Sequence, residues 1–268
     1  MDLQEQKAFF EDQGYLIIDH LLDSNELAEC RHEIERLHQL AAEVDSREES
    51  RNNHFQREPF SGDQDSDGLP VLRKIENTRA FSELFSQLAT HPKLVAAVQN
   101  LLGEDLLLFR STLMLKPAFH GSAHALHQDS AYWPINPPSL VTVSIALNDA
   151  TLENGCIKVI PGSHKWGLQE WGGITQKQDA PLTQRDDVDL SAKMDVPLTA
   201  GSALFFHSLM AHGSGANTTP HPRNTALYAY FSPHVRYTPS DKQARECTFP
   251  VIAGLNGSAE FTLSAAPT

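Results

Sequence analysis

Cysteine is scarce in this chain: Cys30, Cys156 and Cys247 are the only three in 268 residues, and they lie far apart. An odd, scattered set excludes a disulfide framework and matches no zinc knuckle. As small hydrophobes in a reducing cytosol they need no partner. Long apolar runs are missing too, and none approaches the roughly 20 residues that cross a bilayer. The opening Met1-Asp2-Leu3-Gln4-Glu5 has neither the basic nor the apolar region of an export signal, so a cytoplasmic protein is expected. Positive charge is in deficit, 21 Lys and Arg against 34 Asp and Glu, for a formal net charge of −13. Such a surface repels phosphates and argues against nucleic acid as a partner. It leaves room for a local basic pocket that could take a small-molecule substrate. Internal repeats, low-complexity tracts and βαβ alternation are also absent, and without that alternation a doubly wound parallel sheet is not expected.

What is present is an ordinary hydrophobic fraction, 40%, enough for a sizeable core. Residues 3–13 read as a helix stopped by Gly14, followed by a β-branched and aromatic strand, Tyr15 to Ile18. Asp23 or Ser24 caps a helix whose Leu27, Ile34, Leu37 and Leu40 or Ala41 recur at helical spacing. From Asp45 to Leu69 the chain is polar, and a loop of that length is expected to cover a site. Asn77 or Thr78 opens a helix carrying Phe81, Leu84, Phe85 and Leu88. Thr90, with Pro92 in the first turn, opens another that ends at Gly103. The first third is thus expected to be helical with one strand. Strands follow at Asp105 to Lys116, Leu140 to Leu147, Ile157 to Ile160, Ser202 to Phe206 and Thr225 to Phe231. The expected architecture is α+β with a mainly β core, a double-stranded β-helix (jelly roll, cupin-like) with N-terminal helices packed on it. We expect one domain over 1–268: a helical part to about 104, a jelly-roll core of about 105–235, and an extension of about 236–268. Segment 165–195 reads as an insertion and a second lid.

The chemistry is expected around Ala125-Leu-His-Gln-Asp-Ser-Ala-Tyr-Trp133. His127 and Asp129 stand two apart after a strand, and side chains at i and i+2 of an extended chain point the same way. An imidazole and a carboxylate can therefore grip one ion from one side. His124 is a rival ligand, disfavoured because residues three apart on a strand face opposite sides. The third ligand is expected from His212, at a strand end before the small-residue turn Gly213-Ser214-Gly215, with His207 as the rival. Two His and one carboxylate on one face of an octahedron form the site of non-haem Fe(II) oxygenases. Arg223 opens the next strand, expected to return antiparallel beside the one carrying His212. Its guanidinium could hold a carboxylate through two parallel bonds, with Ser214 adding a hydroxyl.

His127-Gln-Asp129, the run Asn148-Asp-Ala-Thr-Leu-Glu-Asn-Gly-Cys-Ile-Lys-Val-Ile-Pro-Gly-Ser-His164, and His212-Gly-Ser214 with Arg223 together resemble the phytanoyl-CoA dioxygenase family of Fe(II)- and 2-oxoglutarate-dependent oxygenases. The resemblance covers most of the chain. It implies that His127, Asp129 and His212 hold Fe(II), that Arg223 pairs with the distal carboxylate of 2-oxoglutarate, and that Ser214 lies beside it. Lys74, in Leu72-Arg-Lys-Ile75, resembles a family lysine that reaches the cosubstrate from the helical region. Arg110, Thr112 and Met114 share one strand face that family members use to line the pocket. Trp133 matches a position where some relatives hold an aromatic against the substrate. Some relatives place a Trp against 2-oxoglutarate where this chain has Ser144, so that wall is built differently here. With O2 the expected reaction is hydroxylation, or another oxidation, of a small organic molecule with release of succinate and CO2. A carboxylate at 129 favours this over halogenation, which needs a small residue there. A non-catalytic jelly-roll binder and a zinc hydrolase using the same ligands are the competing readings.

Overall fold

A computed structural model describes residues 1–44, 54–62, 68–177 and 180–265. Helix α1 (Leu3–Gln13) is opened by a reciprocal capping box, Asp2 with Glu5, and ends at Gly14, whose φ of 80° is the left-handed conformation glycine favours. Strand β1 (Tyr15–Ile18) leads into α2 (Ser24–Val44), where the Asp23 carboxylate accepts from the Asn25 and Glu26 backbone N–H groups. The expected stripe is buried, extended by Cys30 and Val44.

The next stretch departs from expectation. Residues 55–57 and 72–76 are strands, β2 (Phe55–Arg57) and β3 (Leu72–Glu76), so the described residues of this third hold three strands rather than one. They are too short for a clear alternation, and only their pairing with each other and with a longer strand makes them β. The rest of the anticipated cover, 45–53 and 63–67, lies outside the described residues. The single helix expected from Asn77 is split into a 3-10 turn, Thr78–Ala80, and a short α3 (Glu83–Leu88) capped by Ser82. Helix α4 (Pro92–Leu102) has Pro at its start as expected, but its N-cap is His91 rather than Thr90.

The remaining strands are β4 (Leu106–Lys116), β5 (Ala123–His127), β6 (Ile135–Asn136), β7 (Val141–Ala146), β8 (Ile157–Val159), β9 (Thr175–Gln176) and β10 (Met194–Val196). They continue with β11 (Ala203–His207), β12 (His212–Ser214), β13 (Arg223–Phe231), β14 (Arg236–Tyr237), β15 (Glu246–Ala253) and β16 (Glu260–Ser264). One large sheet runs β1-β11-β7-β13-β4-β15-β16, with β3 also on β4 and β2 on β3; the small sheet runs β10-β8-β12-β5-β9. All these pairings are antiparallel, the arrangement of a jelly roll. Because β15 pairs with β4, the chain after residue 236 completes the large sheet.

Alternation on the large sheet separates two environments. Val141, Val143 and Ile145 of β7 and Tyr228 and Tyr230 of β13 join one apolar cluster with Phe10, Leu27, Ile34, Leu37, Phe85 and Leu94 from the helices. The buried phenols of Tyr228 and Tyr230 donate at 2.8 Å to the carbonyls of Phe85, within α3, and Ala89, its C-cap. The intervening residues are small or polar: Thr142, Ser144, Thr112 and Thr225 are buried on the inner face. The described residues of segment 165–195 are built into the fold. β9 edges the small sheet, and Trp171, Leu182 and Val188 pack on Leu126, Ile160 and Ala211. No helix among the described residues is long and apolar enough to cross a membrane.

Candidate active site

His127 ends β5 and His212 opens β12, and antiparallel pairing makes them direct Cα partners. Their rings lie 4.2 Å apart between centroids. Gly213 and Ser214, expected in a turn, are therefore strand. Asp129 follows through an extended Gln128 and starts a 3-10 turn. Its Oδ1 lies 3.8 Å from His127 Nε2 and 3.9 Å from His212 Nε2. One ligand atom from each of the three falls within 4.8 Å of the others, a cluster able to hold a metal ion.

Backbone contacts fix which nitrogen each imidazole presents. His127 Nδ1 donates to the Ala125 carbonyl and His212 Nδ1 to the Met210 carbonyl, both at 2.9 Å. The Nε2 lone pairs are thereby aimed at the shared point. Burial, then repulsion from His212, pushes the His127 imidazole down to about 4, so it is neutral and ready to ligate at ordinary pH. Thr142 Oγ1, from the opposite sheet, donates at 2.7 Å to Asp129 Oδ2 and leaves Oδ1 facing the histidines. Two rings and one carboxylate converge from one side with the right atoms exposed, so the donor set fits Fe(II).

The same residues line a cavity of about 180 Å³ with Arg223, Ser214, Lys74, Arg110, Thr112, Met114 and Trp133. Arg223 reaches it differently from the sequence expectation. Its strand β13 pairs with β4 and β7 in the large sheet, whereas β12 lies in the small one, so the guanidinium faces the histidines across the barrel. Arg223 is 3% exposed, and burial lowers it to about 10. Nη2 donates to the Gly155 carbonyl at 2.5 Å, Nη1 to Thr225 at 3.5 Å, and Nε has no partner among the described residues. A buried guanidinium without a carboxylate among the described residues is costly unless a ligand supplies one. The Ser144 hydroxyl, on the same wall, is also buried and without a partner among the described residues. These orphaned donors fit the distal carboxylate of 2-oxoglutarate.

Two further parts of the resemblance position this machinery. Asn154 holds the turn through Thr151 N and the Asp149 carbonyl, and Gly155, at φ 83°, aims its carbonyl at Arg223. A Cβ at Gly155 would meet the Gly215 carbonyl oxygen at 2.3 Å. Ser163 Oγ accepts from the Ala211 N–H at 2.8 Å, fixing the segment that enters His212.

Lys74 lies on β3 opposite Met114, not in a helical region. It pairs with Glu76 at 2.5 Å, and Arg110 grips the same carboxylate. Burial works against the charge of Glu76, but Arg110 and Lys74 pull its carboxyl down to about 2. Two cations share one anion, so the wall stays basic inside an acidic protein. Trp133 packs on Phe109 with ring centroids 4.8 Å apart and the planes tilted by 40°. His207 points elsewhere: its Nδ1 accepts from Leu209 N, and its ring packs near Phe10 and His164.

His124 is the residue that strand alternation misjudges. It lines the cavity with His127, although the two are three apart. Ser214 pairs with His124 while His212 pairs with His127, so three steps on β5 match two on β12. The extra residue of this bulge returns His124 to the inner face. Arg73, Tyr132, Phe206 and Leu227 also line the cavity and carry no pattern that sequence spacing could single out. Gln128, between two of the cluster residues, points to the back of the sheet. It binds the Gly167 and Leu209 carbonyls and accepts from Gln169 N and Trp171 Nε1, tying segment 167–171 behind the site. Of the anticipated second lid, Ile174 reaches the cavity wall.

A two-His, one-carboxylate face with open positions, inside a jelly roll and opposite a buried arginine, defines the class of non-haem Fe(II), 2-oxoglutarate-dependent oxygenases. The family described as phytanoyl-CoA dioxygenase (PhyH) matches residues 10–225, and the chain belongs to that family. An ectoine dioxygenase of Streptomyces avermitilis is 30% identical over 240 residues, 83% of this chain and 76% of its own. Peroxisomal phytanoyl-CoA dioxygenases of rat, human, cattle and mouse are 27–28% identical, and the chain spans 64–69% of their length. Among solved structures, the non-haem monooxygenase ThoJ superposes with a TM-score of 0.75 at 25% identity, covering 96% of this chain and 86% of that one. EctD from S. alaskensis, solved with 2-oxoglutarate and 5-hydroxyectoine, shares the fold with a TM-score of 0.69 at 24% identity, covering 90% and 80%.

Proposed function

We propose that this chain hydroxylates, or otherwise oxidises, a small organic molecule at a C–H bond, converting 2-oxoglutarate and O2 to succinate and CO2. The observation that carries the reading is one cavity holding both an open-sided ligand cluster and a buried guanidinium without a carboxylate. His127, Asp129 and His212 would hold Fe(II), and Arg223 with Ser214 would take the distal carboxylate of 2-oxoglutarate. Lys74, Arg110, Thr112 and Met114 would complete the wall around the cosubstrate, with Trp133 on the substrate side. When bound, Fe(II) with 2-oxoglutarate and O2 supplies an oxidant strong enough to break an unactivated C–H bond.

The protein's own part is positional. The backbone bonds of His127 and His212 and the Thr142 bond to Asp129 fix the ligand atoms, and Arg223 orients the cosubstrate. A buried, carboxylate-free arginine in the same cavity as the metal cluster favours the oxygenase over a zinc hydrolase, which needs no such group. The carboxylate at 129 fills the place a halogenase leaves open, which favours hydroxylation. The described residues form one oxygenase unit in this reading. Three free cysteines support a cytoplasmic, reducing setting.

The test is anaerobic addition of Fe(II) and then 2-oxoglutarate. A weak visible charge-transfer band should appear in the native chain and be lost in Asp129→Ala, with the thermal melt little changed. No band and no 2-oxoglutarate binding in metal-loaded protein would sink the proposal.

A further inference from the structure

The hydroxyl of Ser214 is not left to choose its own orientation. Its oxygen lies 3.3 Å from His124 Nδ1, its one side-chain hydrogen-bond partner among the described residues. On the far side of that imidazole, Arg73 approaches Nε2 with both Nε at 3.2 Å and Nη2 at 2.9 Å. A guanidinium has only donors, so His124 Nε2 must accept. A neutral imidazole that accepts at Nε2 carries its proton on Nδ1, so Nδ1–H donates to Ser214 Oγ. With that lone pair occupied, the serine's own proton is free to point into the cavity. The three residues come from β3, β5 and β12, and all line the cavity that also holds Arg223.

We infer that Arg73 and His124 are positioning residues: they fix Ser214 as a hydrogen-bond donor and project positive charge through it onto the distal carboxylate of 2-oxoglutarate. This rests on the proposal that Arg223 and Ser214 receive that carboxylate. It adds a second cation at the same end of the cosubstrate, acting through a relay rather than by contact. Arg73 is the first member, His124 the switchless coupler whose tautomer Arg73 sets, and Ser214 the group that touches the ligand. A bulge is what makes the relay possible, because regular pairing would turn His124 away from Ser214.

The experiment measures binding rather than turnover. Full-length protein loaded with Mn(II) is titrated calorimetrically with 2-oxoglutarate, and with pyruvate, which keeps the keto acid but lacks the distal carboxylate. Arg73→Leu and His124→Leu should each weaken 2-oxoglutarate about tenfold, the size of one charge-assisted hydrogen bond, and change pyruvate less than twofold. His124→Asn keeps an N–H near the Nδ1 position and should recover affinity to within about threefold of the native chain. In a Ser214→Ala background, Arg73→Leu should have no further effect, because the relay has lost its end. Additive losses in that double variant, or equal losses for pyruvate, would overturn the inference and mark a general packing role. Arg223→Leu separates the two levels: if it leaves 2-oxoglutarate affinity unchanged in folded protein, the underlying carboxylate site is wrong. If Arg223→Leu weakens binding while the Arg73 and His124 variants do not, the relay alone is wrong.

Discussion

Thr142→Val isolates a contact on which the metal site depends without touching a ligand. Thr142 is fully buried on β7, and its Oγ1 donates at 2.7 Å to Asp129 Oδ2. Valine has the same shape, so the strand and its neighbours need not move. What is lost is one short hydrogen bond to a carboxylate, worth about 1.5–3 kcal/mol. At about 1.4 kcal/mol per tenfold, that predicts metal binding weaker by about 10- to 100-fold, the range found when the outer partner of a metal ligand is removed. The metal-free protein should melt within a few degrees of the native chain, since no cavity is opened and no charge is added. Thr142→Ser, which keeps the hydroxyl, should retain most of the affinity. Fe(II) affinity is read anaerobically by competition with a chromophoric chelator. Affinity within twofold of native for Thr142→Val would refute the argument that the opposite sheet orients Asp129.

Other outcomes follow from the same geometry. Gly155→Ala should lower both stability and 2-oxoglutarate affinity. The new methyl at φ 83° strikes the Gly215 carbonyl and displaces the carbonyl that holds Arg223, so calorimetry with 2-oxoglutarate should show at least a tenfold loss. Tyr228→Phe leaves the buried Phe85 carbonyl without its donor. It should cost about 1–3 kcal/mol in denaturant unfolding while leaving metal affinity unchanged, because that phenol faces the helices. Burial, then His164, pushes His207 down to about 4, so folding favours its neutral form. Its contribution is intact above the unfolded value near 6.5 and is lost as pH falls toward 4. His207→Asn should therefore flatten the acid limb of the stability profile by about one proton, or about 1.4 kcal/mol per pH unit between roughly pH 6 and 4. An unchanged slope would show that His207 does not stay neutral in the fold.

Local order was written in the chain itself. Val141-Thr-Val-Ser-Ile-Ala146 alternates by residue, and in the fold its odd positions meet the helices while Thr142 reaches Asp129 and Ser144 lines the cavity. Gly14 and Gly103 mark helix ends, and His127 and Asp129 share a side because two steps of extended chain return to the same face. Such features depend on neighbours a few residues away, where periodicity is informative. The tertiary structure decided what depends on register between distant strands. Arg223 lies across the barrel from His212 rather than beside it, because β13 joins the large sheet. Lys74 sits on a strand because β4 offers its edge, and one extra residue opposite His212–Ser214 turns His124 inward. Thr142 finds Asp129 only when two sheets close face to face. No spacing along the chain encodes those meetings, since pairing and closure are properties of surfaces that exist only once the strands have come together.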